Sequence, residues 1–319
     1  MADTKRTMPP HISGDEEFDG FFAREVLPWL EAEEQKRRVL ADMARRNGLI
    51  TAGVTFVVAI VALYFRMPVG ALVIIMVLGG ITGFASGFRL YLWADSFNEA
   101  LAKKVFGHFG FQYSAKSTVQ FLKRFSGIGL LPSYDRYELT DEVSGKIDGM
   151  DIHLVEANLS RTTRTKNGNT RTIVFHGLLV SATFSKPFSG RTLIKTDKGA
   201  ISHFLEGIFG NDAAVRLEDL AFEAEFDVYS NDQIEARTLL TPAFMERLLT
   251  LRRKMDGPVR SAFYQGQFWL AIDGRRDYFP AYSSWQDVRD PDQARNLVRD
   301  ISLISSVLRL LKLDSGTRV

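Results

Sequence analysis

Two apolar runs, residues 49–65 and 69–92, separated only by Arg66, Met67 and Pro68, constrain this chain more than any other feature. In the first, about 17 residues long, every position except Thr51 and Thr55 is apolar or small. At a rise of about 1.5 Å per residue it reaches the lower end of spanning length. The second run carries a single charge, Arg89, and is long enough to span with some tilt. Adjacent runs so poor in charge are rare in soluble cores. The chain is therefore expected to cross a bilayer twice, at 47–65 and 69–92, as a hairpin with almost no loop.

Flanking charge sets the expected orientation. Lys36, Arg37, Arg38, Arg45 and Arg46 precede the first run, Arg89, Lys103 and Lys104 mark the end of the second, and Arg66 stands alone between them. The positive-inside rule then puts both termini in the cytoplasm. Gly79, Gly83 and Gly87 lie at two overlapping GxxxG spacings on one face of the second run. Such a stripe admits a close helix neighbour: either Gly53, Ala59 and Ala62 of the first run, or a second copy of the chain. No acid, lysine or histidine sits mid-membrane, so nothing here points to a proton relay or an ion path.

Ahead of the hairpin, Phe18, Phe21, Phe22, Val26, Leu30, Val39 and Leu40 recur at roughly helical spacing, and Pro28 is expected to kink or divide the segment. Its basic end suits either an anionic lipid surface or the soluble domain. The expected organisation is thus a cytoplasmic amphipathic segment at 1–46, a transmembrane hairpin at 47–93 and a cytoplasmic α+β domain at 94–319.

The soluble part alternates at strand period. Residues 151–160, 172–184 and 191–195 read as strands, the first two joined through Asn167-Gly168, whose residues both accept positive φ. Leu220, Phe222, Phe226 and Val228 alternate with Glu223, Glu225 and Asp227 as a half-buried strand requires. Residues 259–263 and 268–272 flank Gln265-Gly266 as a further hairpin. Helices are expected at 200–209, 231–239, 242–255 and 291–313. Ser230 with Gln233 has capping-box spacing, and Thr241-Pro242 and Asp290-Pro291 set caps before N1 prolines. These elements make a mixed, mainly antiparallel sheet with packed helices.

Composition narrows the chemistry. The chain has no cysteine, which removes disulfides, thiolate metal sites and a cysteine nucleophile together. Its net charge of +2 falls short of a dedicated nucleic-acid binder, and none is expected as a partner. No HExxH, GxSxG, glycine-rich phosphate loop or dinucleotide fingerprint occurs, so no cofactor, metal or catalytic residue is assigned.

Four stretches carry a resemblance: GKI at 145–147, read as a strand start, VFHGL at 174–178, FSKPFSG at 184–190, and above all FDVYSNDQIEAR at 226–237 running on to LTPAFM at 240–245. Over 141–249 the chain resembles a bacterial membrane family known as domain of unknown function 3137, whose layout also sets a membrane hairpin ahead of the domain. The resemblance implies residence in the bacterial inner membrane and supplies no activity.

Lys186, Asp232, Glu235 and Arg237, which lie in these stretches, are the candidate ligand-binding residues. Two carboxylates near an arginine suit acid/base work or a divalent cation, whereas acids in the first turn of a capped helix also simply favour its dipole. Lys186 suits a phosphate or carboxylate. His153 and His176 lie on strands expected to pair, either as a shared site or as separate hydrogen-bonded histidines. Arg161, Arg164, Lys166 and Arg171 surround a hairpin tip as a basic finger, facing lipid headgroups, an acidic partner or solvent. The reading that follows is a membrane-anchored binding or scaffold module. Its partners are the lipid bilayer and a protein, or a second copy through the second span. The alternatives are a membrane-bound enzyme acting on a lipid or phosphorylated metabolite, and an accessory subunit of a membrane complex.

Overall fold

The structure is a computed structural model and describes residues 20–147, 149–165, 168–183, 188–196, 213–255, 257–274, 277–279 and 281–290. The expected helices at 200–209 and 291–313, Lys186, Lys166 and Asn167 lie outside them. Compactness divides the chain into a sheet unit, Phe106–Phe279, and a helical unit made from Ile12–Val105 and Pro280–Arg295.

In the helical unit a short π-helical stretch, Phe22–Val26, leads into α1, Leu27–Tyr64, with Pro28 in the first turn of α1. Pro28 therefore lies just past the point where the π-helical turn gives way to α-helix, and the expected amphipathic segment continues without a break into the first apolar run. Helix α1 ends in a two-bond reversal. The Met67 amide reaches Ala62 O at 3.0 Å and the Arg66 amide Leu63 O at 3.0 Å. Arg66 adopts φ 52°, the left-handed position that glycine usually fills. Pro68 then precedes α2, Val69–His108.

Both helices are long and apolar enough to cross a membrane, with 6% and 0% of their most apolar windows buried within the protein. The two helices come close at Gly79, where an added Cβ would run into the Thr55 side chain. An added Cβ at Gly53, Gly83 or Gly87 would meet nothing within 4 Å. Thr55 is thus the neighbour of the stripe that the sequence reading did not name.

The sheet unit contains β1 Gln112–Lys116, α3 Val119–Ile128, β2 Arg136–Ile147, β3 Met150–Thr165, β4 Gly168–Thr183, β5 Thr192–Lys195, β6 Ala213–Ala214, α4 Leu220–Glu225, β7 Asp227–Ser230, α5 Gln233–Leu239, α6 Pro242–Lys254, β8 Val259–Tyr264 and β9 Gln267–Asp273. Nine strands form one sheet in the order β1-β2-β3-β4-β9-β8-β5-β7-β6, and every described pairing is antiparallel. One face packs Val155, Ala157, Leu159, Phe175, Trp269 and Ala271 against Phe121, Leu122, Phe125 and Ile128 of α3. On α3 those apolar residues recur at three and four, and Gly129 closes the helix at φ 80°. On the other face the Phe244 ring of α6 meets Phe263 and Phe268.

Three sequence expectations are corrected. Residues 220–225 are helical because the Asp219 carboxylate caps Ala221 N at 2.9 Å and Phe222 N at 3.0 Å, and the strand begins only at Asp227. The cap of α5 is Asp232, with the helix beginning at Gln233, so the Ser230/Gln233 box does not form. GKI at 145–147 ends β2 instead of opening a strand. A bulge between Thr140 and Val143 reverses the alternation along β2 and hides it from a period-2 reading.

Candidate functional site

Two of the family-like stretches, through residues 188–190 and 226–237, meet at the start of β5. Asp232 Oδ1 accepts from Ile234 N at 3.0 Å and Glu235 N at 2.9 Å, satisfying two of the open donors of α5. Glu235, on the first turn, reaches back across the chain: Oε1 accepts from Ser189 N at 2.8 Å and Oε2 from Gly190 N at 2.6 Å. Asn231 Oδ1 takes Arg191 N at 2.7 Å, and Ser230 Oγ donates to Arg191 O at 2.9 Å. An added Cβ at position 190 would run into Glu235 Oε2, so a larger residue there obliges the carboxylate to move. Glu235 therefore clamps the Ser189–Gly190 backbone, while Asp232 caps the helix that carries it. Arg237 turns the other way, its guanidinium bonding Gln233 O at 3.3 Å on its own exposed helix turn.

A second polar constellation lies mid-sheet. Strand alternation puts Glu156 on the face of Ile152 and Leu154, where it is 4% exposed. Its Oε1 accepts from Tyr278 N at 3.2 Å and lies 3.4 Å from His176 Nε2. Burial, then the Asp277 charge, push the Glu156 carboxyl up to about 8, against the Tyr278 amide, which favours the charged form. Asp141 sits at the β2 bulge with φ 51° and accepts from the Tyr113 hydroxyl. Burial raises its carboxyl too, with Asp277 adding repulsion. Glu156 Oε2 and Asn158 Oδ1 are buried with no hydrogen-bond donor among the described residues. At neutral pH Glu156 is thus largely a neutral acid, able to donate from Oε2 while Oε1 holds the Asp277–Phe279 strap.

The two histidines do not share a site. His153 faces Ser181 and His176 faces Asn158 across β3 and β4. Each takes its own glutamate, His153 bonding Glu142 at 2.6 Å and His176 approaching Glu156. Among the described residues no group of three or more His, Asp or Glu side chains is arranged to hold a metal ion. Sequence reasoning passed over Glu156 and Asp141. Its available signal was an acid at the third inward position of an otherwise apolar strand.

In the helical unit Glu34 is 2% exposed and receives Arg37 Nε and Nη2, each at 2.8 Å, and Arg38 Nε at 2.7 Å. It also accepts Val288 N at 3.2 Å, and Asn98 holds Tyr282 through both backbone groups, so the 281–290 segment is tied to the helices of this unit. The Arg37 hydrogen bonds hold the Glu34 carboxyl down at about 2.

No curated relative matches the chain. Among solved structures, the crystal structure of the mycobacterial trehalose monomycolate transport factor A, TtfA, is similar over 67% of this chain and 95% of that one, at 12% identity and a TM-score of 0.34. A family model described as Protein of unknown function (DUF3137) matches residues 173–313. The match takes in VFHGL, FSKPFSG and FDVYSNDQIEAR, begins after GKI and extends beyond residue 249, so the family segment lies further toward the C-terminus than the motifs alone suggested. The segment similar to the DUF3137 family is thus residues 173–313, which hold both the Glu235 clamp and most of the strand that carries His176.

Proposed function

We propose that this protein is a membrane-anchored binding or scaffold module of the bacterial inner membrane. Helices α1 and α2 cross the bilayer as a hairpin, both termini stay cytoplasmic, and the α+β domain is presented there to a partner. The observation that carries the reading is the exposure of large apolar side chains along both helices, such as Leu49, Phe56, Leu63, Val69 and Phe84. In water such surface is costly at roughly 25 cal/mol per Å², and a bilayer removes that cost. The flanking cations support the orientation. The room over Gly83 and Gly87 supports a second helix on α2, from another copy of the chain or from a partner protein.

The absence of cysteine makes the topology directly testable. Full-length protein is expected to sediment with membranes and resist alkaline carbonate. In spheroplasts, Met67→Cys is expected to react with an impermeant maleimide and Thr163→Cys only after lysis. Full-length chain left in the supernatant without detergent, or the reverse labelling pattern, overturns the reading.

A further inference from the structure

The β3–β4 hairpin runs well beyond its neighbours. Strand β2 stops pairing with β3 at Ser160, and β9 stops pairing with β4 at Gly177, so Arg161–Thr165 and Gly168–Thr172 pair only with each other. At about 3.3 Å per residue the free ribbon is roughly 17 Å long. Every described residue from 168 to 173 is exposed, as are Arg161, Thr163 and Arg164.

Its composition is one-sided. Residues 161–172 hold Arg161, Arg164, Lys166 and Arg171 and no acid, a charge of +4 against +2 for the whole chain, which leaves the remainder at −2. Five threonines add hydroxyl donors. The register divides the cations: Arg164 and Arg171, paired with Asn169 and Thr162, share one face, and Arg161 with Thr172 takes the other. Arg171 Nε donates to Ser160 Oγ at 2.7 Å. No ion pair forms to Arg161 or Arg164 among the described residues.

We infer that this ribbon is a lipid-headgroup probe that enters the anionic surface of the membrane end-on. A flat acidic protein patch can meet only one face of a ribbon. A headgroup layer, roughly 5–8 Å deep, surrounds both faces at once and brings cations further back within a Debye length of about 8 Å. The inference rests on the anchoring reading, because two membrane-crossing helices keep the ribbon at high effective concentration near the bilayer. Each cation near an anionic surface is worth about a five-fold gain in partitioning.

The test uses the full-length chain carrying Asn169→Cys labelled with an environment-sensitive fluorophore. It is placed in nanodiscs of phosphatidylcholine alone or with about a third phosphatidylglycerol. Blue-shifted emission is expected only in the anionic discs, reversed by 0.5 M salt, and roughly 30-fold weaker in lipid titration for R161Q/R164Q with unchanged thermal unfolding. Identical emission in both discs overturns the inference, as does a ribbon that responds to duplex DNA or a soluble polyacid and not to lipid. If the chain enters no disc, the anchoring reading fails by itself. Co-sedimentation of the detergent-free chain with vesicles of the same two compositions then decides the ribbon: salt-sensitive, R161Q/R164Q-sensitive binding sustains it and no binding ends it.

Discussion

The helical unit and the sheet unit each bury one glutamate almost completely, Glu34 at 2% and Glu156 at 4% exposure. Both accept a backbone amide from the stretch that follows β9, Val288 N and Tyr278 N respectively. Yet one carboxyl is held at about 2 and the other pushed up to about 8. Burial raises both, so burial does not decide the outcome. Glu34 has two arginines in hydrogen-bond contact, whereas Glu156 has Asp277 and Asp141 as its charged neighbours and a half-buried histidine. An identical side chain thus becomes a permanent anion in one unit and a proton store in the other.

The largest test of this contrast is Glu34→Ala. Removing one partner of a buried pair leaves Arg37 uncompensated and Val288 N without its acceptor, at a cost of about 3–5 kcal/mol. Reduced thermal stability together with faster amide exchange at Val288 is expected, and an unchanged melting curve would break the comparison. The acid contribution has a defined sign: with the folded value depressed from 4.5 to about 2, it is present above 4.5 and lost as the pH falls toward 2.

Glu156→Gln is expected to act in the opposite direction. The folded carboxyl binds its proton more tightly than the unfolded one, so native stability declines as pH climbs from 4.5 toward about 8. The amide keeps an acceptor for Tyr278 N and carries no charge. The variant should be about 3 kcal/mol more stable than the parent near pH 7 and no more stable at pH 4, read from urea unfolding at both pH values. A stability difference independent of pH would show that Glu156 is not the proton store.

Smaller effects sharpen the contrast between a packed and an open helix face. Gly79→Ala forces its Cβ into Thr55 and should lower the unfolding temperature in detergent by the equivalent of about 1–3 kcal/mol. Gly83→Ala, which meets nothing within 4 Å, should leave it unchanged or slightly raised. Smallest is Asp232→Ala, at about 1 kcal/mol for the lost cap, measured by unfolding and by exchange at Ile234 and Glu235.

Much of the architecture was legible before the coordinates. The apolar runs, the Thr241-Pro242 cap and the hairpin through Gln265-Gly266 all announce themselves in local chemistry. Thr241 caps Phe244 N at 3.3 Å, and Gln265 and Gly266 adopt φ of 52° and 70°. The misreadings also had local causes. Residues 220–228 satisfy both a strand alternation and a short helix, and the Asp219 cap decides between them. The bulge at Asp141 exchanges the two faces of β2, so its apolar residues look scattered.

Asp232 and Glu235 stood out because two acids cluster in the first turn of a helix. Asp232 caps that helix, and Glu235 alone reaches across the chain, to the backbone of Ser189 and Gly190. Nothing in sequence spacing ties Glu235 to Gly190, since the link spans 45 residues. Glu156 and Asp277 are far more distant in sequence and reach each other only because β3 lies near the end of β9 through β4.

By itself the sequence determined what depends on neighbours along the chain: two long apolar helices, a basic border, a capped helix start at Thr241 and the hairpin turn at Gln265-Gly266. These follow from hydrophobic period, side-chain capping and the φ range of each residue, which act within a few positions. Tertiary structure decided which charges are paired and which are stranded, that Glu235 closes on the backbone of Gly190, and how far the basic ribbon outruns its neighbours. Those properties belong to strand order and register, where residues far apart in sequence share one dielectric environment and one set of hydrogen bonds.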